Sequence, residues 1–127
     1  MAITYENGIF WNRTSRGDPE VCELKYLSTL PGVGPNQLVI TGIAGQRIRI
    51  VRGVLHSQST TSSDFTYLNG SGGSGIFQAF APPNSIEPLI LELDPTGYFE
   101  TSVGNGLYVT VLVQSLRQNF GYITYTP

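Results

Sequence analysis

The stretch that most constrains this chain is Gly106 to Tyr125. Gly106-Leu-Tyr-Val-Thr-Val-Leu-Val-Gln114 alternates strictly, with Leu107, Val109, Val111 and Val113 on one face and Tyr108, Thr110, Leu112 and Gln114 on the other. That is the period of a β-strand. Phe120 to Tyr125 is a second β-branched and aromatic run, and Arg117, Gln118 and Asn119 supply polar turn residues before it. The spacing predicts an antiparallel hairpin. Neither face of it is cleanly polar: Tyr108 and Leu112 lie opposite the valine stripe, and the second strand sets Phe120 and Tyr122 against Ile123 and Tyr125. A hairpin with one wet face alternates apolar with polar. One face is therefore expected on the domain's own core and the other on a partner, with a second copy of the chain as the candidate. Tyr108, Leu112 and Tyr122 are the residues expected in that contact.

Upstream, short strands alternate with turn signals, as in an all-β sandwich. Gln37 to Thr41 is the first, and Gln46-Arg-Ile-Arg-Ile-Val-Arg52 alternates with Ile48 and Ile50 inward and Arg47 and Arg49 outward. Arg52 would follow Ile50 inward, so a bulge or kink is expected near Gly53. Val54 to Ser57 continues that strand, and Asp64 to Leu68, Ile76 to Phe80, Ile86 to Leu93 and Tyr98 to Glu100 are further strands. Ser57 to Ser63 and Asn69 to Gly75 are loops, and Asp94-Pro-Thr-Gly97 and Gly104-Asn-Gly106 are tight turns. About eight strands result, in a domain spanning 36–127.

Residues 1–35 read differently, holding seven of the sixteen formal charges, the single Trp and the single Cys, and ending in Leu30-Pro-Gly-Val-Gly-Pro35. We expect an extended N-terminal arm, with Ile9, Phe10 and Trp11 as anchors and Val21 to Leu27 as a strand or helical turn. Ordering an arm costs roughly 1 to 2 kcal/mol per residue. Burying Phe10, Trp11, Leu24 and Tyr26 returns about 1.5 to 3 kcal/mol apiece. The arm thus needs a long surface to lie on: this domain, a sister subunit or another protein.

Charged residues are only 13% of the chain and the net charge is -2. Arg47, Arg49 and Arg52 form the one basic cluster, so direct nucleic-acid binding is not expected. One cysteine, Cys22, excludes an internal disulfide framework, and one histidine, His56, removes most zinc and triad arrangements. No run has the length of a membrane span and no signal-peptide pattern opens the chain, so no membrane association is expected. Asn69 to Gly75 is glycine-rich without the Gly-Lys-Ser/Thr ending of a phosphate cradle. Glu92, Asp94 and Glu100 offer paired carboxylates, but Asp-Pro-x-Gly is ordinary turn chemistry. His56 reads as solvated or hydrogen-bonded, Cys22 as a small buried residue, and Asn12-Arg13-Thr14 as a chance sequon. No enzymatic activity and no cofactor or metal is expected. The three arginines are either a solvated strand face or a contact for an acidic partner surface.

Ile40-Thr-Gly-Ile-Ala-Gly-Gln-Arg-Ile-Arg-Ile50, Leu91-Glu-Leu-Asp-Pro-Thr-Gly-Tyr-Phe-Glu-Thr101, Gly106-Leu-Tyr-Val-Thr-Val111 and Gly121-Tyr-Ile-Thr-Tyr125 together resemble small structural proteins of tailed bacteriophages, capsid cement or decoration proteins among them. The closing strand is also similar to that of complement C1q and tumour-necrosis-factor-like trimers. The resemblance spans Ile40 to Tyr125 and implies a jelly-roll-like antiparallel β-sandwich. It also implies a homotrimer on the outer surface of the phage head, made in the host cytoplasm and bound to the major capsid protein. Ile9, Phe10, Trp11, Arg47, Arg49 and Arg52 are then the expected coat-protein contacts. The alternative is a receptor- or carbohydrate-binding tip of a fibre or tail, with the Ser57 to Ser63 and Asn69 to Gly75 loops as ligand loops and Tyr67, Tyr98 or Trp11 as sugar platforms.

Overall fold

The structure, a computed structural model, describes residues 2–13 and 19–127. Met1 and Thr14 to Asp18 of the expected arm, including the third position of the Asn12-Arg13-Thr14 sequon, lie outside it. The described residues form twelve β-strands and no helix, in three antiparallel sheets. The first sheet is a meander of β1 (Ala2–Glu6), β2 (Ile9–Arg13) and β3 (Glu20–Cys22). The second has the order β10 (Phe99–Glu100), β6 (Arg47–Ser57), β12 (Leu116–Tyr125), β4 (Lys25–Thr29), with β9 (Leu89–Leu91) also paired to β6. The third runs β5 (Gly34–Ile40), β11 (Leu107–Leu112), β7 (Ser63–Asn69), β8 (Gly75–Ala81).

The second and third sheets make the sandwich. Between them lie Ile48, Ile50 and Leu55 of β6, Leu116 and Phe120 of β12, Phe65 and Tyr67 of β7, and Leu107, Val109 and Val111 of β11, all buried. The alternation that predicts the strand at 107–112 thus sets its valine stripe inward. An aromatic cluster fills the centre: Phe99 stacks on Tyr67 at 5.0 Å and on Phe77 at 4.9 Å, and Phe120 meets Tyr67 edge-on at 5.4 Å. The Tyr67 hydroxyl donates to Gln118 Oε1, and Gln118 Nε2 donates to Thr29 Oγ1 at 2.8 Å. This polar chain crosses the core from the third sheet to the edge of the second, and its buried amide is satisfied on both sides.

The expected hairpin is corrected. β11 and β12 belong to opposite sheets, and Arg117 to Asn119 lie inside β12. The chain turns at Val113, where φ is 78° and Gln114 N–H donates to Leu112 O at 3.0 Å, a γ-turn. The cause lies in the two apolar faces of β12. A strand carrying Phe120 and Tyr122 on one side and Ile123 and Tyr125 on the other needs cover on both, and β12 finds it in the middle of a sheet, between β6 and β4.

The cover on the outer side is the chain's own N-terminus. Phe10 and Cys22 of the meander pack with Val51, Ile123 and Tyr125 of the second sheet, flanked by Ile3 and Leu24, so the chain itself covers this part of the face. Asn7 and Gly8, with φ of 53° and 80°, form the two-residue turn joining β1 to β2, the left-handed pair that matches strand twist. The expected division at residue 35 does not hold either. β4 pairs with β12 from Lys25↔Tyr122 to Thr29↔Gln118, and β5 starts at Gly34, so residues 25–35 are part of the sandwich.

The irregularity expected near Gly53 lies two residues earlier. Gly121 faces Arg52 and Tyr122 faces Ile50, so Val51 is the extra residue of a bulge. It sends Val51 to the outer core while Ile50 stays in the inner one.

Three outcomes are expected. Phe10 is 1% exposed, so Phe10→Ala should cost about 3 to 5 kcal/mol in urea unfolding. Deleting 1–23 should leave a folded sandwich with an exposed apolar face, whereas deleting 1–35 should abolish cooperative unfolding because it strips β4 from β12. Burial raises the Tyr67 phenol well above its ordinary value of 10.0. The folded state therefore holds that proton more tightly than the unfolded chain, and stability present below pH 10 is lost as pH rises beyond it. Melting temperatures above pH 10 should fall more steeply in the parent than in Tyr67→Phe, which starts lower for loss of the Gln118 hydrogen bond.

Candidate functional site

The three arginines of β6 do not form one free face. Arg49 Nε donates to Glu100 Oε2 at 2.9 Å, Nη1 to the Pro95 carbonyl at 3.2 Å and Nη2 to the Tyr125 hydroxyl at 3.1 Å. Its guanidinium lies 5.0 Å from the Tyr125 ring centre. The Tyr125 hydroxyl donates to Glu100 Oε2 at 2.7 Å, and Arg47 Nη1 lies 3.7 Å from Glu100 Oε1. Burial, and then the hydrogen bond to the Glu100 carboxylate, push the Tyr125 phenol up. Arg49 and, more loosely, Arg47 are thus engaged in tying β10 to β6 and β12. Arg52 alone is exposed, with no ion pair among the described residues.

The outer face of the third sheet has no cover among the described residues. Cross-strand pairing lays it out in rows: Leu38, Tyr108 and Leu68; then Thr110, Thr66 and Gln78; then Leu112, Asp64 and Phe80. Leu38, Leu112 and Phe80 are 55%, 51% and 68% exposed. Val113, in its γ-turn beside Leu112, is also exposed. A β-branched residue at positive φ is strained, and here the Ser63 hydroxyl braces the turn by donating to Gln114 O at 2.6 Å. Of the expected self-contact residues, Tyr108 and Leu112 share this face. Tyr122 does not: it packs half-buried against the inner core, because the sheet switch at Val113 puts β12 in the other layer.

The second sheet leaves part of its outer face open beyond the N-terminal meander. A groove of about 310 Å³ runs there over β12, between Tyr26 and Ser28 of β4 on one side and Arg52 and Val54 of β6 on the other. Gly121 is its floor, and a Cβ on it would lie 2.5 Å from Arg52 Cγ. Sequence reasoning missed this groove. Its one local trace was Gly121, a glycine inside a strand run, which marks close approach; Gly53 faces the Phe120 ring in the sandwich instead.

The remaining candidates fall as follows. Among the expected coat contacts, Phe10 is buried in the protein's own core, Trp11 is half-buried and Ile9 is exposed. Tyr67 is fully buried and cannot serve as a sugar platform. Tyr98 is half-buried against the core, its hydroxyl donating to the Glu92 carbonyl. Asp94 Oδ1 accepts from Thr96 N–H at 3.0 Å and Thr96 Oγ1 at 2.7 Å, inside the turn that Gly97 N–H closes on Asp94 O, and Glu100 is held by the arginines. His56 Nδ1 lies 2.9 Å from Ser57 O. Cys22 is buried, which raises its thiol further from the reactive thiolate. Among the described residues no His, Cys, Asp and Glu group has the makings of a metal site, and no helix is long and apolar enough to cross a membrane.

Glu100→Gln should destabilise by about 1 to 2 kcal/mol in chemical unfolding, since it removes a charge-assisted pair from a partly buried arginine. Arg52→Gln should stay within about 0.5 kcal/mol of the parent. Equal effects would mean that the two arginine environments do not differ.

No protein-family model matches the chain, and no match was found among curated proteins or solved structures.

Proposed function

We propose that this chain is a structural protein of a tailed-phage head, a cement or decoration protein that associates with its own copies and binds the outer surface of the capsid. The observation that carries the reading is the open face of the third sheet, where Leu38, Tyr108, Leu68, Leu112 and Phe80 stand on paired rows with none of the described residues above them. Exposed apolar side chains at both ends of an ordered sheet face, around the polar row of Thr110, Thr66 and Gln78, mark a protein contact. The strained γ-turn at Val113 adds an exposed apolar side chain at its end. The resemblance of the motifs between Ile40 and Tyr125 to those of phage cement proteins points the same way and makes a trimer the preferred assembly.

The mechanism is mass action. A protein that binds only the assembled shell stabilises it in proportion to the logarithm of its concentration over its dissociation constant, and linking subunits multiplies that effect. Of the surfaces expected on coat protein, Ile9, Trp11 and Arg52 are at least partly open, while Phe10 and Arg49 are engaged within the chain. The alternative, a receptor- or carbohydrate-binding tip, loses Tyr67 as a platform.

The test joins solution assembly to particle stability. The parent chain should be a trimer by light scattering, and Leu112→Asp combined with Phe80→Asp should be a monomer of similar melting temperature. Particles lacking the protein should release their genome at a lower temperature than complete ones. A monomeric parent would remove the self-association. Particles of equal heat stability that fail to attach to cells would replace the cement reading with the tip.

A further inference from the structure

We infer that the groove over β12 is a binding site for an extended, carboxylate-bearing segment of a protein partner. The argument starts from its hydrogen-bonding inventory. Ser28 Oγ donates to Asn119 Oδ1 at 2.6 Å, which leaves the Asn119 amide NH₂ without an acceptor among the described residues. Arg52, on the opposite wall, has no ion pair among them and contributes the guanidinium fork that matches a carboxylate. Tyr26 is 68% exposed and adds a phenolic hydroxyl above an aromatic face. The free groups are mostly donors, so the complementary ligand is rich in acceptors and negative. The next outward row is His56 opposite Arg117, and the Arg117 guanidinium extends the same sign of charge along the strand.

Shape narrows the ligand further. Tyr26 and Arg52 stand on strands that flank β12, so the walls are about 9 to 10 Å apart between strand axes. An α-helix with side chains is about 10 to 12 Å across and does not fit between them. An extended chain does, lying along the Arg52 stem that rests on Gly121. Val54 and the Tyr26 ring supply the apolar contact that excludes water around the ion pair. The groove opens toward β4, which has no further strand beyond it among the described residues, so the segment can enter from the side.

This site lies on the second sheet, on the side away from the third, and does not depend on the self-association surface. Where the capsid reading holds, the partner is coat protein.

The experiment is a titration of the full-length ¹⁵N-labelled chain followed through amide resonances. The probes are a short capped peptide alternating glutamate with serine, its glutamine counterpart, and a galacturonic acid oligomer as a carboxylate-bearing sugar. The glutamate peptide should shift the Gly53 and Gly121 amides, the glutamine peptide should not, and the shifts should weaken as salt rises. Arg52→Gln should lower the affinity about tenfold, while Arg47→Gln, whose partner is Glu100, should leave it unchanged. Leu112→Asp should bind the peptide like the parent, separating this site from the self-contact. Absent shifts, or equal affinity in Arg52→Gln, would overturn the proposal. Shifts produced by the galacturonate and not by the peptide would replace it with a sugar site.

Discussion

The ladder between β6 and β12 is the constraint on which the rest of the structure depends. These are the longest strands of the molecule, and they pair from Leu116↔Ser57 to Tyr125↔Arg47. Each must bury apolar side chains on both faces, which a strand of strict period cannot do while keeping arginines outside. The bulge at Val51 resolves the conflict. Before it, Ile48 and Ile50 face the sandwich; after it, Gly53 and Leu55 do; and Val51 itself supplies the outer core with Ile123 and Tyr125. The same outer core then obliges some other element to cover it, and the N-terminal meander is the element that does so.

Charge follows that geometry. The arginines at 47 and 49 rise from the covered end of the ladder, where Glu100 and Tyr125 are close enough to bind them. Arg52 comes after the bulge, where the cover has ended, and its stem lies against Gly121. One extra residue in one strand separates an arginine that holds the fold together from an arginine left to the solvent.

Much of the fold was legible in residues of strict period. The inward stripe of Leu107, Val109 and Val111, the pair Ile48 and Ile50, the turn at Asp94 to Gly97 and the loop at Asn69 to Gly75 all follow from alternation or from turn chemistry, while Val113, expected on the same stripe, is exposed in its γ-turn. Long-range pairing was not legible. Two runs separated by a few polar residues make a hairpin on local rules, and nothing local says that Val113 reverses the chain into the opposite sheet. The N-terminal meander left a clear trace, since Asn7-Gly8 between two short runs is the strongest local hairpin signal. Its strands are brief and their alternation shallow, so 1–35 reads as one arm when it is a meander followed by two strands of the sandwich. Of the candidate sites, Tyr108 and Leu112 were readable as one face because they share a strand. The groove was not, because its walls come from three strands far apart in sequence.

The meander also fixes an order of events in time. Phe10 and Cys22 rest on Ile123 and Tyr125, and Asn12 Nδ2 donates to the carbonyl of Thr126 at 2.9 Å across 114 positions of sequence. Strands β1 to β3 are thus made well before β12, the strand that supports them. Until β12 is made, the meander has no completed surface to fold on, and its apolar residues stay open to chaperones or to other nascent chains. Contacts of such long range place the chain among slow-folding topologies. Docking the meander is therefore a late event of folding, and it clamps β12 from the face that the sandwich leaves open.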